Sequence, residues 1–542
     1  MACRCRSCKE ERAKVRTELV KCTQYHPRAQ RERKFLGSLL QSSENTVHSR
    51  FCRLPVELQT KIFEYATVID FPRPAVDPRV KKNNRFLLLG AVCHLWRAIA
   101  WGTPLLWQSL SIYIYQRNPR LIAQLAYEWL ERSEPMVELN IRLYTHRSLE
   151  EPRGFDEKVG ALVEVINPFS YRWGTLNLEI PFPYAERVRA EGSASMLRSL
   201  MIHQTDLEPE QPAPTGPLWR KQQNLMVQVI GRQSPGIENL KRVHFSLLLN
   251  DAGIGQGLYY AFLSKQLEEL VIDGMNYSIF FTEPTLTLEL LSRPITRPCL
   301  RVLRLERVPA NFVLKFLEWA ILPNLEFLNI VADLTPTRIY DSFFSHCSTS
   351  LKTLQLVVAY NPQNFEHVHD YMLVNTLAAT PYVQSLSVNY FYHCQILNFR
   401  EPQIYGRLLY ALTREIDIGH GKRPLLPHLQ ALVFHSQLRP KFQWECIPML
   451  FYPPQNGPNL STRRNPKFLP SQRPLRYVGV RIENAEEMFI IDRQTLTQLS
   501  DIAKSRRVKF EFSLFIGEPA RGVDILKTSA ASYGLVWNDN LR

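Results

Sequence analysis

Apolar positions recur along most of this chain in one arrangement: an apolar residue, two variable positions, a second apolar residue, one variable position, a third. It reads MVELNI, WGTLNL, LRSLMI, LKRVHF, LEELVI, LRVLRL, LEFLNI, LKTLQL, VQSLSV, LQALVF and LRYVGV. The first positions are Met136, Trp173, Leu197, Leu240, Leu267, Leu300, Leu325, Leu351, Val383, Leu429 and Leu475. The alternation at the end of each copy predicts a short strand with one buried face. Between copies, ANFVLKFLEWAI (310–321) predicts a helix, with Phe312, Phe316 and Ala320 on one line and Val313 and Leu317 beside it. NPRLIAQLAYEWLERS (118–133) predicts another. Val508, Phe510, Phe512 and Leu514 alternate in SRRVKFEFSLFIG and predict a closing strand. Pro-rich insertions at 208–217 and 452–474 predict loops.

A second apolar signal lies upstream. LLLGAVCHLWRAIAWGTPLLW (Leu87–Trp107) is long enough to raise a membrane span. His94 and Arg97 near its middle and the Gly102-Thr103-Pro104 stop argue against one. As one helix, it places Leu88, Val92, Leu95 and Ile99 on one face and Leu89, Cys93, Trp96 and Ala100 on the next. Gly90, His94 and Arg97 fall opposite. That apolar arc is wider than one core needs, which predicts two apolar neighbours. RLPVELQTKIFEYA predicts a helix from Pro55 to about Ala66, with Pro55 at its first position and Leu58, Ile62 and Phe63 as its apolar edge.

Two resemblances follow. Arg53-Leu54-Pro55, Glu57-Leu58, Ile62-Phe63, Leu89-Gly90-Ala91-Val92-Cys93, Trp96-Arg97, Ile99-Ala100 and Thr103-Pro104 with Trp107 resemble an F-box over residues 51–111, in the form common in fungal proteins. The connection at 67–86 is longer than in the compact animal form. The eleven serial motifs resemble leucine-rich repeats with irregular insertions. In the F-box family the helical unit docks on a Skp-type adaptor, which tethers it to a cullin–RING ubiquitin ligase. That resemblance implies that Leu54, Pro55, Leu58, Ile62, Val92, Cys93 and Trp96 face the adaptor. Read from the residues alone, the same side chains could equally form the core of a small helical domain.

The expected fold is α/β: a basic tail, partly helical or disordered, at 1–50, the F-box-like domain at 51–111, and a leucine-rich-repeat solenoid at 112–542. Each repeat buries its apolar face against the next, with strands on the concave side and helices on the convex side. The residues between the leucines should line the concave face: Arg242, His244, Asp273, Arg304, Glu306, Asn329, Gln355, Asn389, His435, Tyr477 and Arg481. One by one they read as solvated strand residues; together they form a surface of the kind that binds protein partners.

Charge and chemistry narrow the picture. The net charge is +15, from 66 Lys and Arg against 51 Asp and Glu. Nearly half of it sits in residues 1–50, in a tail and not on a folded basic face, which argues against nucleic acid as a partner. The N-terminus lacks the apolar core of a secretory signal, and ten cysteines are too few for a disulfide framework. A cytoplasmic or nuclear location is expected, so the sequons at Asn276 and Asn459 carry no weight. Cys3, Cys5, Cys8, Cys22 and His26 do not match a paired zinc spacing. EHVHD (366–370) gathers ligand types at the start of an expected helix, where His367 and His369 diverge. GIGQG (253–257) lacks the dinucleotide spacing, and GHGK (419–422) is not a P-loop. No nucleophile elbow and no HExxH occurs.

The expectation is a non-catalytic substrate receptor of an SCF-type ubiquitin ligase, without cofactor, metal or membrane segment, whose repeats hold an unidentified protein substrate. The competing expectation is a protein-binding scaffold in which the F-box-like helices cap the solenoid.

Overall fold

The computed structural model describes residues 10, 14, 54–67, 85–114, 119–144, 155–180, 187–189, 196–203, 238–247, 264–274, 294–308, 310–332, 338–359, 368–391, 404–413, 415–417, 422–436, 444–451, 473–485, 490–516 and 521–537. The insertion at 208–217, most of that at 452–474, the N-terminal cysteines, GIGQG and both sequons lie outside them. The chain divides into two compact units. The first holds residues 1–199, 203–206 and 224–236; the second holds 200–202, 207–223 and 237–542.

The first unit opens with three helices, α1 (Val56–Thr67), α2 (Arg85–Val92) and α3 (His94–Trp101), then a 3₁₀ turn at Pro104–Trp107. The single helix expected through Leu87–Ala100 is two helices. Cys93 is extended (φ −159°, ψ 172°) and caps α3, its Sγ accepting from Trp96 N at 3.4 Å. The break resets the helical phase, so faces counted across it do not hold. Gly90, expected on a polar back, is buried: a Cβ there would stand 2.0 Å from the Trp101 ring. α1 starts one residue later than expected. Pro55 precedes it, and its carbonyl accepts from Leu58 N and Gln59 N, each at 3.1 Å. Gly102 and Pro104 end α3 as expected.

Beyond these helices the first unit alternates strand and helix: β1 (Ser109–Tyr113), α4 (Pro119–Arg132), β2 (Leu139–Tyr144), α5 (Phe155–Ile166) and β3 (Trp173–Glu179). β1, β2 and β3 are adjacent and parallel. The helical core runs into this part. Phe63, Ile99, Ala100, Leu106 and Trp107 form one cluster, and Trp129 of α4 packs against it. Trp129 Nε1 donates to Trp107 O (2.9 Å), and the two rings meet edge-on at 5.1 Å. The Arg132 guanidinium stands 4.8 Å above the Trp107 ring. Buried Arg172 ties α4 to the start of β3, donating through Nε to Val137 O (3.0 Å) and through Nη1 to Leu130 O.

The boundary between units passes through β4 (Ser199–His203). The second unit continues with β5 (Arg242–Leu247), β6 (Glu269–Gly274), β7 (Ile295–Thr296), β8 (Val302–Glu306), α6 (Ala310–Trp319), β9 (Ala320–Ile321), β10 (Phe327–Ala332), α7 (Arg338–Cys347), β11 (Thr353–Ala359), α8 (Val368–Ala378) and β12 (Ser385–Phe391). It ends with α9 (Ile404–Leu412), β13 (Glu415–Asp417), β14 (Lys422–Pro424), β15 (Ala431–Ser436), α10 (Cys446–Met449), β16 (Tyr477–Ala485), α11 (Arg493–Arg506), β17 (Lys509–Ile516), β18 (Arg521–Asp524) and α12 (Ile525–Ser532). Its large sheet runs β5-β6-β8-β10-β11-β12-β15-β16-β17-β18, parallel up to β17. The strand at Val508–Leu514 is not the last. Antiparallel β18 pairs outside it, and α12 follows directly.

The register shows why the motif makes this sheet. Leu303, Leu328, Leu354, Leu386, Leu432, Val478 and Phe510 occupy one line across the strands, and all are buried. The first motif residue is buried in ten copies, from Trp173 to Leu475. Met136 is the exception at 85% exposed, so the MVELNI copy enters the core only from Leu139 onward. The helices contribute Phe312, Val313, Phe316, Leu317, Phe343, Phe344, Leu373, Leu377, Leu408 and Leu409 to the buried set. Burying each of these side chains contributes on the order of 2 kcal/mol.

The position after the first motif residue carries a second regularity: Lys241, Glu268, Arg301, Glu326, Lys352. Backbone bonds link them in series, Glu268 N to Lys241 O, Arg301 N to Glu268 O, Glu326 N to Arg301 O and Lys352 N to Glu326 O. Their side chains pair along the same line. Lys241 Nζ lies 3.0 Å from Glu268, Arg301 Nε 2.8 Å from Glu326, and Lys352 Nζ 3.4 Å from Glu326. The Arg301 and Lys352 contacts hold the Glu326 carboxyl below its usual range.

Candidate functional site

In α1 the apolar residues point two ways. Phe63 is 1% exposed and meets Trp96 edge-on at 5.0 Å. Gln59 is buried beside it and donates to Leu54 O at 2.7 Å. Leu58 (51% exposed), Ile62 (43%) and Tyr65 repeat at four and three residues and form a stripe on another face. Val56, Val92 and Leu105 are exposed as well. The seven residues expected at the adaptor therefore separate. Pro55, Leu58, Ile62 and Val92 are exposed; Leu54 and Cys93 are half-buried; Trp96 is half-buried against the core. Tyr65 and Leu105, which periodicity across a single helix did not single out, join the exposed group.

The polar residues expected on the repeat face all lie on the side of the second unit's sheet opposite the leucines. Arg242 and Tyr477 stand on one cross-strand line, His244, Arg304, Asn329 and Gln355 on the next, Asp273, Glu306, Asn389, His435 and Arg481 on the third. Several of them fall in two local networks. In the first, Arg307 donates through Nε to Asp273 Oδ1 (2.7 Å) and through Nη2 to Oδ2. Arg307 is left-handed (φ 54°), and the missing Cβ of Gly274 leaves room for its carbonyl. Asn329 Nδ2 donates to Glu306 Oε1 at 3.1 Å, and Arg304 lies 4.8 Å over the Phe327 ring. Burial, followed by the nearby Asp273 charge, raises the Glu306 carboxyl above its usual range.

In the second network, Glu483 sits between Arg481 Nη2 (2.9 Å) and His435 Nε2 (3.1 Å, off the line a hydrogen bond needs). Arg481 also covers the Phe515 ring at 4.6 Å. Tyr477 donates to Glu511 at 3.3 Å, and Lys509 pairs with the same carboxylate at 3.0 Å. Burial and then Glu511 push the Tyr477 hydroxyl up.

Sequence reading missed a third network, in the first unit. Arg142 Nη2 lies 2.6 Å from Glu179 Oε1, and its guanidinium stands 5.0 Å over Tyr144, which packs on Tyr113 at 5.2 Å. Asn177, 8% exposed, donates to Glu179. One signal could have found it: Asn177 and Asn329 hold the same motif position, in WGTLNL and LEFLNI.

Among the described residues no three His, Cys, Asp or Glu side chains converge, and no helix is long and apolar enough to cross a membrane. The histidine of EHVHD within the described chain, His369, stands in α8, which starts at Val368 as the motif suggested. Burial raises the Cys347 thiol to about 12 and the Cys446 thiol to about 11, far from a reactive thiolate.

The F-box-like family profile matches residues 51–113, an F-box-like domain that covers α1 to β1. No curated protein matches the chain.

Proposed function

We propose that this chain is a non-catalytic substrate receptor of an SCF-type ubiquitin ligase, acting in the cytoplasm or nucleus. The observation that carries this reading is the F-box-like domain at 51–113 with an apolar stripe left exposed beside a closed core. Leu58, Ile62 and Tyr65 on α1, with Val92 and Leu105, are the adaptor-facing side chains. A stripe of this kind gains from burial against a partner. The parallel sheet is read as an irregular leucine-rich-repeat solenoid, and its leucine-free face holds the protein substrate. Catalysis is then by proximity: a tethered substrate meets the ubiquitin-loaded enzyme at high effective concentration.

A second reading rests on Trp129 and Arg132, which bind the helical core to α4. In it the F-box-like helices are the cap that any repeat array needs, and the chain is a scaffold with no ligase role. Co-purification with a Skp-type adaptor separates the two. The ligase reading expects the wild type to retain the adaptor and the Leu58→Asp, Ile62→Asp double variant to lose it, with unchanged thermal stability. If the wild type retains no adaptor, the cap reading stands.

A further inference from the structure

The row of residues that opens the strands of the second unit changes character partway along. From Lys241 to Lys352 its charges alternate in sign, and each meets an opposite neighbour. Backbone bonds carry the row onward, Gln384 N to Lys352 O (2.8 Å), Gln430 N to Gln384 O (2.7 Å) and Arg476 N to Gln430 O (2.7 Å). This second half holds no carboxylate: two neutral amides lead to an arginine. On the next strand the register sets Lys509 against Tyr477, so Val508 faces Arg476, with Arg507 and Lys509 on either side of it in the chain. Three cations thus gather at the starts of β16 and β17.

Local structure accounts for part of the charge here and not for the rest. Lys504 and Arg506 lie in the last turn of α11, where the helix dipole favours cations. Lys509 pairs with Glu511 at 3.0 Å. Arg476 and Arg507 are exposed, and neither makes an ion pair among the described residues. Arg507 caps α11 in the left-handed conformation (φ 55°, ψ 41°), which glycine or asparagine adopts at less cost. Arg307 holds the same conformation (φ 54°), and there the guanidinium binds Asp273. Arg507 has no such acid. Its charge stands in solvent at a backbone position that disfavours arginine, across from the equally exposed Arg476. The complement of an open guanidinium is a carboxylate, which it can bind through two parallel N–H···O bonds.

We propose that Arg476, Arg507 and Lys509 receive an acidic segment of a protein partner, a short run of Asp or Glu side chains. The cations cover the start of only two strands and give way to exposed Glu511 two residues on. A nucleic acid presents a continuous anionic backbone and is gripped by cations along a longer track, so a short carboxylate run is the better complement. The proposal goes beyond the ligase reading and does not rest on it.

The test uses the full chain and a labelled octaglutamate peptide, joined to lysines in contact with it by a zero-length carbodiimide and mapped by mass spectrometry. Lys241 and Lys352 are the internal controls, since they lie on the same row and are ion-paired as Lys509 is. Coupling at Lys509 should exceed that at either control by about fivefold, the gain from two further exposed ion pairs. It should fall to their level in the Arg476→Gln, Arg507→Gly double variant. Glycine suits the left-handed backbone, so this variant should keep its melting temperature. Added salt should narrow the difference between Lys509 and the controls. Three outcomes would overturn the proposal: equal coupling at the three lysines, coupling at Lys509 that the double variant leaves unchanged, or displacement of the peptide by a single-stranded oligonucleotide at lower concentration than by unlabelled octaglutamate. The last would assign the cations to nucleic acid. Adaptor retention should be the same in the wild type and the double variant, so failure here leaves the ligase reading standing.

Discussion

The helices at 54–107 and the strands of the second unit draw on the same apolar residue types and place them differently. In the strands, every residue on the leucine lines from Leu303 to Phe510 is buried. In the helices, Phe63 and Trp107 are sealed inside while Leu58, Ile62, Val92 and Leu105 remain in water. A strand presents its apolar set to one side and has one place to put it. A helix can carry two apolar stripes, and among the described residues only one of them is covered. Exposed apolar surface in the helical region is thus a property of its geometry, and it is where an interaction is to be sought.

That contrast can be broken most severely at Trp107. It holds Ala100 O through Nε1 (3.1 Å) and touches Trp101, Trp129 and Arg132. Trp107→Ala should cost about 3–5 kcal/mol and unfold α1 to α3, read as lost protection in hydrogen exchange over 54–67 and 85–107. Gly90→Ala is next. The new methyl has no space beside Trp101, so about 1–3 kcal/mol should be lost in thermal denaturation. Smallest is Glu326→Lys, which places a third cation between Arg301 and Lys352. The partners are solvated, so a loss of about 0.5–1 kcal/mol is expected at low salt, shrinking as salt is added. A similar loss at high salt would show that packing, not charge, is at stake.

The strands were legible because their period is two and their burial one-sided. All eleven motif copies fall on strands, and the helices at 119–132 and 310–319 stand where the pattern set them. The helical region was legible in kind but not in phase. A cysteine in the middle of an apolar run does not announce a chain break, yet Cys93 turns extended and caps α3 through its sulfur. The edge strand β18 was hidden because RGVD carries no alternation. Of the candidate site, the polar face of the second unit was found from the motif itself. The Arg142 network was missed because, although Asn177 and Asn329 share a motif position, the pairing of Arg142 with Asn177 follows only from the register of two strands.

Arg473 joins parts of the second unit that lie far apart in sequence. It lies at the end of the 452–474 stretch, half-buried, and donates to the carbonyls of Leu412, Leu425 and Leu426. Burial draws its pKa down to about 10, a mark of how far the guanidinium has left water. One arginine thus ties the chain just before β16 to the carbonyls at the end of α9 and after β14.

The alternating charges at Lys241, Glu268, Arg301, Glu326 and Lys352 act on the chain as a parity check. A strand that pairs with its next-but-one neighbour sets lysine against arginine or glutamate against glutamate. A slip of two restores the alternation. In this part of the sheet, loss or gain of a single strand unit is penalised by charge, whereas loss or gain of a pair is not. Pairing order in this part of the sheet is therefore specified in steps of two strands.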